Sequence, residues 1–389
     1  MQRVLLLSLA ASALGSPLYK RNSTGYPDLD AVGPTPQAAW TATYNAAKAA
    51  GKIPSFSPST VTSSGSVSYG DGYNETAVCS WTLTGCEGKD GVFQVPNGTY
   101  GISFDDGPLA ASPTLYTFLQ QNNQTASHFF IGSNIISNLA IFQQAVASGG
   151  HLAVHTWSHP YMTTLTDEQV LGELGWTAQA IYDQTGFVPK FWRPPYGDAD
   201  NRVRAIAKEV FGMTLVGWDA DSNDWCLDDA GADTCGTEGP SSLDTLEAEL
   251  TAWINGTQSP GKLGLEHELT TFSVQGFMNT FPLIASSGWT AGCIPDLLNQ
   301  PWYLNAPRSS NSSIDPSIQI GIGPQSAVFT TSSSSTPTPV STSSSAASLA
   351  SEQAQKTTAT AGNAAASLCS ASSLLPLFLS SLLLALLEL

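Results

Sequence analysis

From residue 91 to about residue 305, short apolar runs alternate with stretches of helical period, and this alternation limits the possible folds more than any other feature. The runs at 99–104, 127–131, 151–154, 190–193, 213–218 and 263–265 read as strands. Helix-period segments separate or follow them at 113–121, 140–147, 167–182, 203–210, 243–254 and 277–285. Thr166 stands where the longest helix needs an N-cap, and Gly107-Pro108 stops the first strand. Strands joined through single helices pair in parallel, so the pattern predicts an α/β fold. Six or seven such units in one stretch suit a single, distorted β/α barrel of parallel strands better than two domains. Polar residues just past strand C-terminal ends would then lie on the face where such barrels place their chemistry.

The flanks differ in kind. Residues 1–16 join a charged start to a short apolar run and small residues, the pattern of a secretory signal peptide. Lys20-Arg21 reads either as a dibasic processing site or as an ordinary charged pair. Residues 17–90 are expected to form a partly ordered N-terminal lead-in, rich in Ser, Gly, Thr and Pro. Residues 91–305 are the expected catalytic domain. Residues 306–363 are expected to be a disordered Ser/Thr-rich stalk that buries no core. Residues 364–389 form a terminal apolar tail behind small residues, the pattern of a GPI-anchor signal, with Asn363 as the candidate lipidation site. The alternative reading of that tail is a tail anchor. The predicted location is therefore secreted, then the outer face of the cell membrane and the cell wall.

The chain carries 14 basic against 31 acidic residues, a formal charge of −17. Nucleic acid needs a cationic surface and is excluded as a partner. A neutral or cationic polymer is compatible. Six glycosylation sequons, at Asn22, Asn74, Asn97, Asn123, Asn255 and Asn311, agree with the secretory route. Of six cysteines, Cys369 falls in the tail. Cys226 and Cys235 are expected to pair, and Cys293 to pair with Cys79 or Cys86, which leaves one thiol over.

Two polar clusters follow strands. Asp105-Asp106 precedes Gly107-Pro108, and His155-Thr156-Trp157-Ser158-His159 places two imidazoles four residues apart. Alone, the first is ordinary turn chemistry and the second a pair of surface histidines. Together they offer one carboxylate and two imidazoles for a divalent ion, provided the histidine segment turns like a helix so that both rings face one side. The other aspartate remains free as a base.

Ser103 to Pro108, His155 to His159 and Arg193-Pro194-Pro195-Tyr196-Gly197 resemble the first three motifs of carbohydrate esterase family 4, the polysaccharide deacetylases. Asp221-Ser222-Asn223-Asp224-Trp225 resembles the fourth, and Leu263-Gly264-Leu265-Glu266-His267-Glu268 the fifth. The five occur in the family's order, and the secretion signal, stalk and tail resemble those of its fungal chitin deacetylases. Ser103 stands where Thr is commoner in the family, and Glu268 where Asp is common. The resemblance implies Asp105 as general base and Asp106, His155 and His159 as ligands of zinc, cobalt or another divalent ion. It implies His267 as general acid, supported by Asp221 or Asp224, and Arg193 as the residue that orients Asp105. The Tyr196 backbone N–H would stabilise the oxyanion, and Trp225 and Leu265 would line the acetyl pocket. The implied reaction converts N-acetylglucosamine units of chitin to chitosan and acetate, carried out by a monomer. Exposed aromatics such as Trp157, Trp192 or Trp225 would hold the sugar chain.

Other readings remain open on the residues alone. The same chemistry would serve an acetylxylan esterase, and a non-catalytic wall protein or lectin-like chitin binder needs no catalytic groups. His267, between two glutamates, fits an exposed salt-bridged histidine equally well. Arg193 fits a surface residue and Trp225 a core one. His128 and His151 read as structural.

Overall fold

The computed structural model describes residues 25–308, apart from 64, and residues 314–324. The expected signal peptide, dibasic site, stalk and anchor tail, with Asn22, Asn311, Asn363 and Cys369, lie outside the described residues.

The expected strands form one parallel sheet. Its strands are β1 (Thr99–Gly101), β2 (Ser103–Asp105), β3 (Ser127–Phe130), β4 (His151–Val154), β5 (Phe191–Trp192), β6 (Thr214–Leu215), β7 (Ala220–Asp221), β8 (Lys262–His267) and β9 (Thr290–Gly292). Neighbours run β9-β1-β8-β2-β3-β4-β5-β6, and β7 pairs with β8 as well. One run of chain, 214–221, therefore closes the ring: its start bonds β5 and its end bonds β8. β1 and β2 are one strand interrupted at Ile102, which donates to Gly292 at the lower end. The result is the distorted β/α barrel of the sequence reading, an α/β fold with helices around parallel strands.

The packing has two layers. Phe129, Ala153, Phe191 and Leu263, from four strands, and Val216, just past β6, fill the barrel interior, with Val95 and Ile294 beside them. A larger cluster fills the space between the sheet and the outer helices, and it includes Phe130, Leu152, Val154, Leu174, Ile181, Val203 and Val210. Successive side chains on β3 and β4 point to opposite faces, so Phe129 and Ala153 go inward while their neighbours go outward. Thr166 caps the helix Asp167–Thr185 in a capping box with Gln169, and Gly186 ends it at φ 76°.

Several expectations change. The N-terminal segment packs against the barrel rather than leading loosely into it. Its helix Ala38–Ala49 buries Trp40 to 1% exposure against Trp176 and Phe211. The core also extends past the expected boundary at 305, because Ile318 and Ile320 join the same cluster. Short apolar islands in Ser- and Gly-rich sequence gave no periodic signal, yet each fills a gap between helices. The last long helix starts at Thr271, with Thr270 as its cap. β8 is longer than expected and runs through Glu266 and His267, so those residues belong to a strand. Cys79 pairs with Cys86 and Cys226 with Cys235, while Cys293 is a free, buried thiol. The expected tie from Cys293 to the N-terminal pair is absent because those two cysteines, seven residues apart, bond each other across one short turn. Among the described residues no helix is long and apolar enough to cross a membrane.

Candidate active site

The strand ends bring the chemistry together. In the parallel register His267 pairs with Asp105, and Leu265 pairs with Asp221. Asp105 is the last residue of β2 and is 2% exposed. Asp106 follows it at φ 73°, a left-handed conformation that turns its side chain away from its neighbour's. The turn is held from outside: Asn134 donates to the Asp106 carbonyl and Asn138 to that of Pro108. It is also closed from below, since a Cβ at Gly107 would lie 2.3 Å from Cδ of Glu268. A side chain there would have to displace the buried Glu268 carboxylate.

The histidine segment is a loop rather than a helical turn. Thr156 and His159 have φ of 66° and 61°, and the left-handed residues rather than helical spacing bring the two rings to 5.0 Å between centroids. Glu173 secures the loop. Its fully buried carboxylate accepts from the Trp157 and Ser158 amides, the Ser158 hydroxyl and the Gly33 amide. Sequence reasoning missed this residue. Its signal was present: a glutamate at a core position of the helix 167–185, between Leu171 and Leu174.

Arg193 is fully buried and links Asp105 to the histidine loop. Its guanidinium donates to Asp105 Oδ1 at 2.8 Å, to Ser103 Oγ and to the Gly217 carbonyl, and it lies 4.2 Å from the Phe129 ring centroid. Its own carbonyl accepts from His155 Nδ1 at 2.8 Å. That bond fixes the tautomer, so His155 Nε2 carries the free lone pair. Nε2 of His155 and of His159 each lie 3.4 Å from Asp106 Oδ1. Ligand atoms of Asp106, His155 and His159 all fall within 4.8 Å of one another.

The protonation states suit a cation. Burial would raise the Asp106 carboxyl, but the neighbouring imidazoles of His155, His267 and His159 hold it well below the usual carboxylate range. Burial, with His155 nearby, pushes His159 down to about 4. An ionised carboxylate and a neutral imidazole are what a divalent ion needs. Asp106 Oδ1 is buried and lacks a hydrogen-bond partner, so the donor set fits a metal ion.

Across the mouth, His267 is 8% exposed, not solvent-facing. Its Nδ1 lies 2.6 Å from Asp224 Oδ1, and its backbone N–H donates to Asp224 Oδ2. Burial would lower the imidazole, but the Asp224 charge and hydrogen bond, with Asp106 and Asp105, push it up to about 10. The structure thus separates the two aspartates that sequence left open. Asp221 accepts from the Asn223 amide instead, and burial raises its carboxyl.

The remaining expected residues divide. Leu265 is buried, and Tyr196 and Trp225 are 52% and 43% exposed. Trp157 and Trp192, expected to grip substrate, are fully buried. Strand alternation and the turn at Thr156 send both indoles into the outer core. His128 and His151 are buried, bonded to Glu268 and Ser127. Asn74, Asn97, Asn123 and Asn255 are all exposed.

Residues 94–216 match the polysaccharide deacetylase family. The match covers about the first half of the barrel. Chitin deacetylase 3 of Cryptococcus neoformans var. neoformans is 45% identical over 241 residues, 61% of this chain and 57% of that protein. A chitin deacetylase of Amylomyces rouxii is 37% identical over 234 residues, 57% of this chain and 53% of its own length. The chain thus spans little more than half of these relatives. The solved chitin deacetylase of Colletotrichum lindemuthianum is 21% identical, with a TM-score of 0.48, over 55% of this chain and 94% of its own. The matched segment holds all of Asp105, Asp106, His155, His159 and Arg193; Asp224 and His267 follow it in the chain.

Proposed function

We propose that the protein hydrolyses the N-acetyl groups of N-acetylglucosamine units in chitin, giving chitosan and acetate. The observation that carries this reading is the meeting of two unlike groups at one mouth: the Asp106–His155–His159 triad beside Asp105, and His267 held by Asp224. A divalent ion, zinc or cobalt, held by Asp106, His155 and His159 would supply Lewis acidity to the acetyl carbonyl and to the attacking water. Asp105, aimed by Arg193, accepts the proton of that water as general base. The Tyr196 backbone N–H faces the developing oxyanion. His267 donates a proton to the amide nitrogen, which then departs as the amine. Its Nδ1 is committed to Asp224, which leaves Nε2 as the donating atom. Leu265 and Trp225 border the acetyl group. Arg193 and Asp224 act as positioning residues.

The wider reading is a monomer that leaves the cell by its signal peptide, carries glycans on its exposed sequons and is tethered to the membrane by a lipid anchor after Asn363, with the stalk as spacer. Mass spectrometry on a defined N-acetylglucosamine oligomer, with acetylated xylan in parallel, tests the reaction. Products lighter by one acetyl group per step are expected from the glucosamine oligomer. Acetate release from xylan alone would replace amide hydrolysis by ester hydrolysis.

A further inference from the structure

We propose that Tyr161 and Tyr196 form a preorganised aromatic platform that binds a pyranose ring of the polymer next to the unit being hydrolysed. The inference rests on the proposed reaction and names the part of the site that reads chain length. Of the three indoles expected to hold sugar, Trp157 and Trp192 are buried and Trp225 is exposed, so the polymer needs another apolar surface on the side of the mouth away from Trp225.

The two tyrosine rings stack, with centroids 4.2 Å apart and planes 18° from parallel. Tyr196 also lies 4.7 Å from the His159 ring. The pair therefore adjoins the metal triad directly. Just over half of Tyr196 is open to solvent. It adopts φ 57°, a left-handed conformation that bulky residues seldom take and that is held only where surrounding structure enforces it.

That surrounding structure is visible. Asp198, two residues after Tyr196, accepts from both the amide and the hydroxyl of Thr163, two residues after Tyr161. Thr163 also bonds Ser59 of the N-terminal segment, and Thr164 donates to the Tyr161 carbonyl. Trp81 of the same segment packs on Gly197. The two loops are cross-tied behind the rings, so little ordering entropy is lost when a ligand arrives.

The chemistry of the surface selects its occupant. A β-linked glucosamine unit has equatorial substituents and two faces of axial C–H groups, which match the electron-rich face of a tyrosine. The phenol oxygens at the rim can bond to sugar hydroxyls. By strand order this platform, after β4 and β5, lies across the mouth from Trp225 and His267, after β7 and within β8. A chain crossing Asp105 would meet both flanks.

The test uses the full, metal-loaded protein. Initial rates on N-acetylglucosamine dimer and hexamer are compared for wild type, Tyr161→Ala and Tyr161→Trp, together with cosedimentation with insoluble chitin. In Tyr161→Ala the hexamer's kcat/KM should fall about five- to tenfold through KM, and the dimer's much less, because one stacking contact is lost. Tyr161→Trp should restore hexamer preference. Equal falls on both substrates, or no change on either, would overturn the platform. Should the wild type turn over no N-acetyl oligomer, the reaction fails independently, and cosedimentation decides the platform. Loss of binding in Tyr161→Ala then supports it, and unaltered binding refutes it.

Discussion

The last residue of β8 and the residue just after it each join a histidine to a carboxylate. His267 meets Asp224 at 2.6 Å, and Glu268 meets His128 at 3.1 Å. Alternation along the strand sends the pairs to opposite faces. The first opens on the mouth, among Asp105 and Asp106, and Asp224 uses both of its oxygens on His267. The second is fully buried, with His128 stacked between Phe104 and Phe130 and with Glu268 filling the space beneath Gly107. Only the first can reach substrate. The second supports the turn that carries the aspartates: the Glu268 amide donates to the Asp105 carbonyl. On the proposed reaction, the same pairing of groups does chemistry in one place and holds structure one residue further on. Exposure and neighbouring charge make the difference.

This contrast can be broken by mutation. His267→Ala should lower kcat by about 10²–10⁴, the usual worth of a positioned proton donor. Metal content and unfolding midpoint should stay near wild type, measured by elemental analysis and urea denaturation. His128→Ala should do the reverse. It leaves a buried carboxylate without its partner and opens a cavity, costing about 3 kcal/mol of stability. The rate per folded molecule should change less than about threefold, a smaller effect than loss of a proton donor. If both variants lose activity alike, the assignment of separate tasks is wrong.

Asp224→Asn sharpens the comparison through pH. Asp224 is the main cause of the raised His267 pKa, about 10 against an ordinary 6.5. The stabilisation from this pair is complete below pH 6.5 and fades as pH rises through about 10. In the variant the alkaline limb of both stability and kcat should move toward lower pH. An unmoved limb would mean another group sets it. The smallest effect is expected at Cys293, whose burial pushes its thiol up to about 12. Cys293→Ala should cost only about 1 kcal/mol and leave activity intact, as a small buried hydrophobe would.

Periodicity made the barrel legible, because its strands and helices each bury one regular face. The site was legible through motif order, since Asp105, Asp106, His155, His159 and His267 all follow or end strands. What sequence left open depends on contacts distant along the chain. Asp221 and Asp224 are chemically alike, and only the turn at Asn223, with φ 48°, brings Asp224 back to His267. Trp157 looked exposed beside two histidines, but the left-handed Thr156 turns it inward. Trp40 and Ile318 sit in sequence without pattern, and their role emerges only once the helices they plug are assembled.

The central claim is that Asp105 moves the proton while Asp106, His155 and His159 hold the metal. The most direct measurement is acetate release from a defined N-acetylglucosamine oligomer by Asp105→Asn, with metal content determined on the same sample. The account predicts one bound divalent ion with release reduced to background. Wild-type rates in Asp105→Asn, or full wild-type activity after chelation has removed the metal, would contradict it.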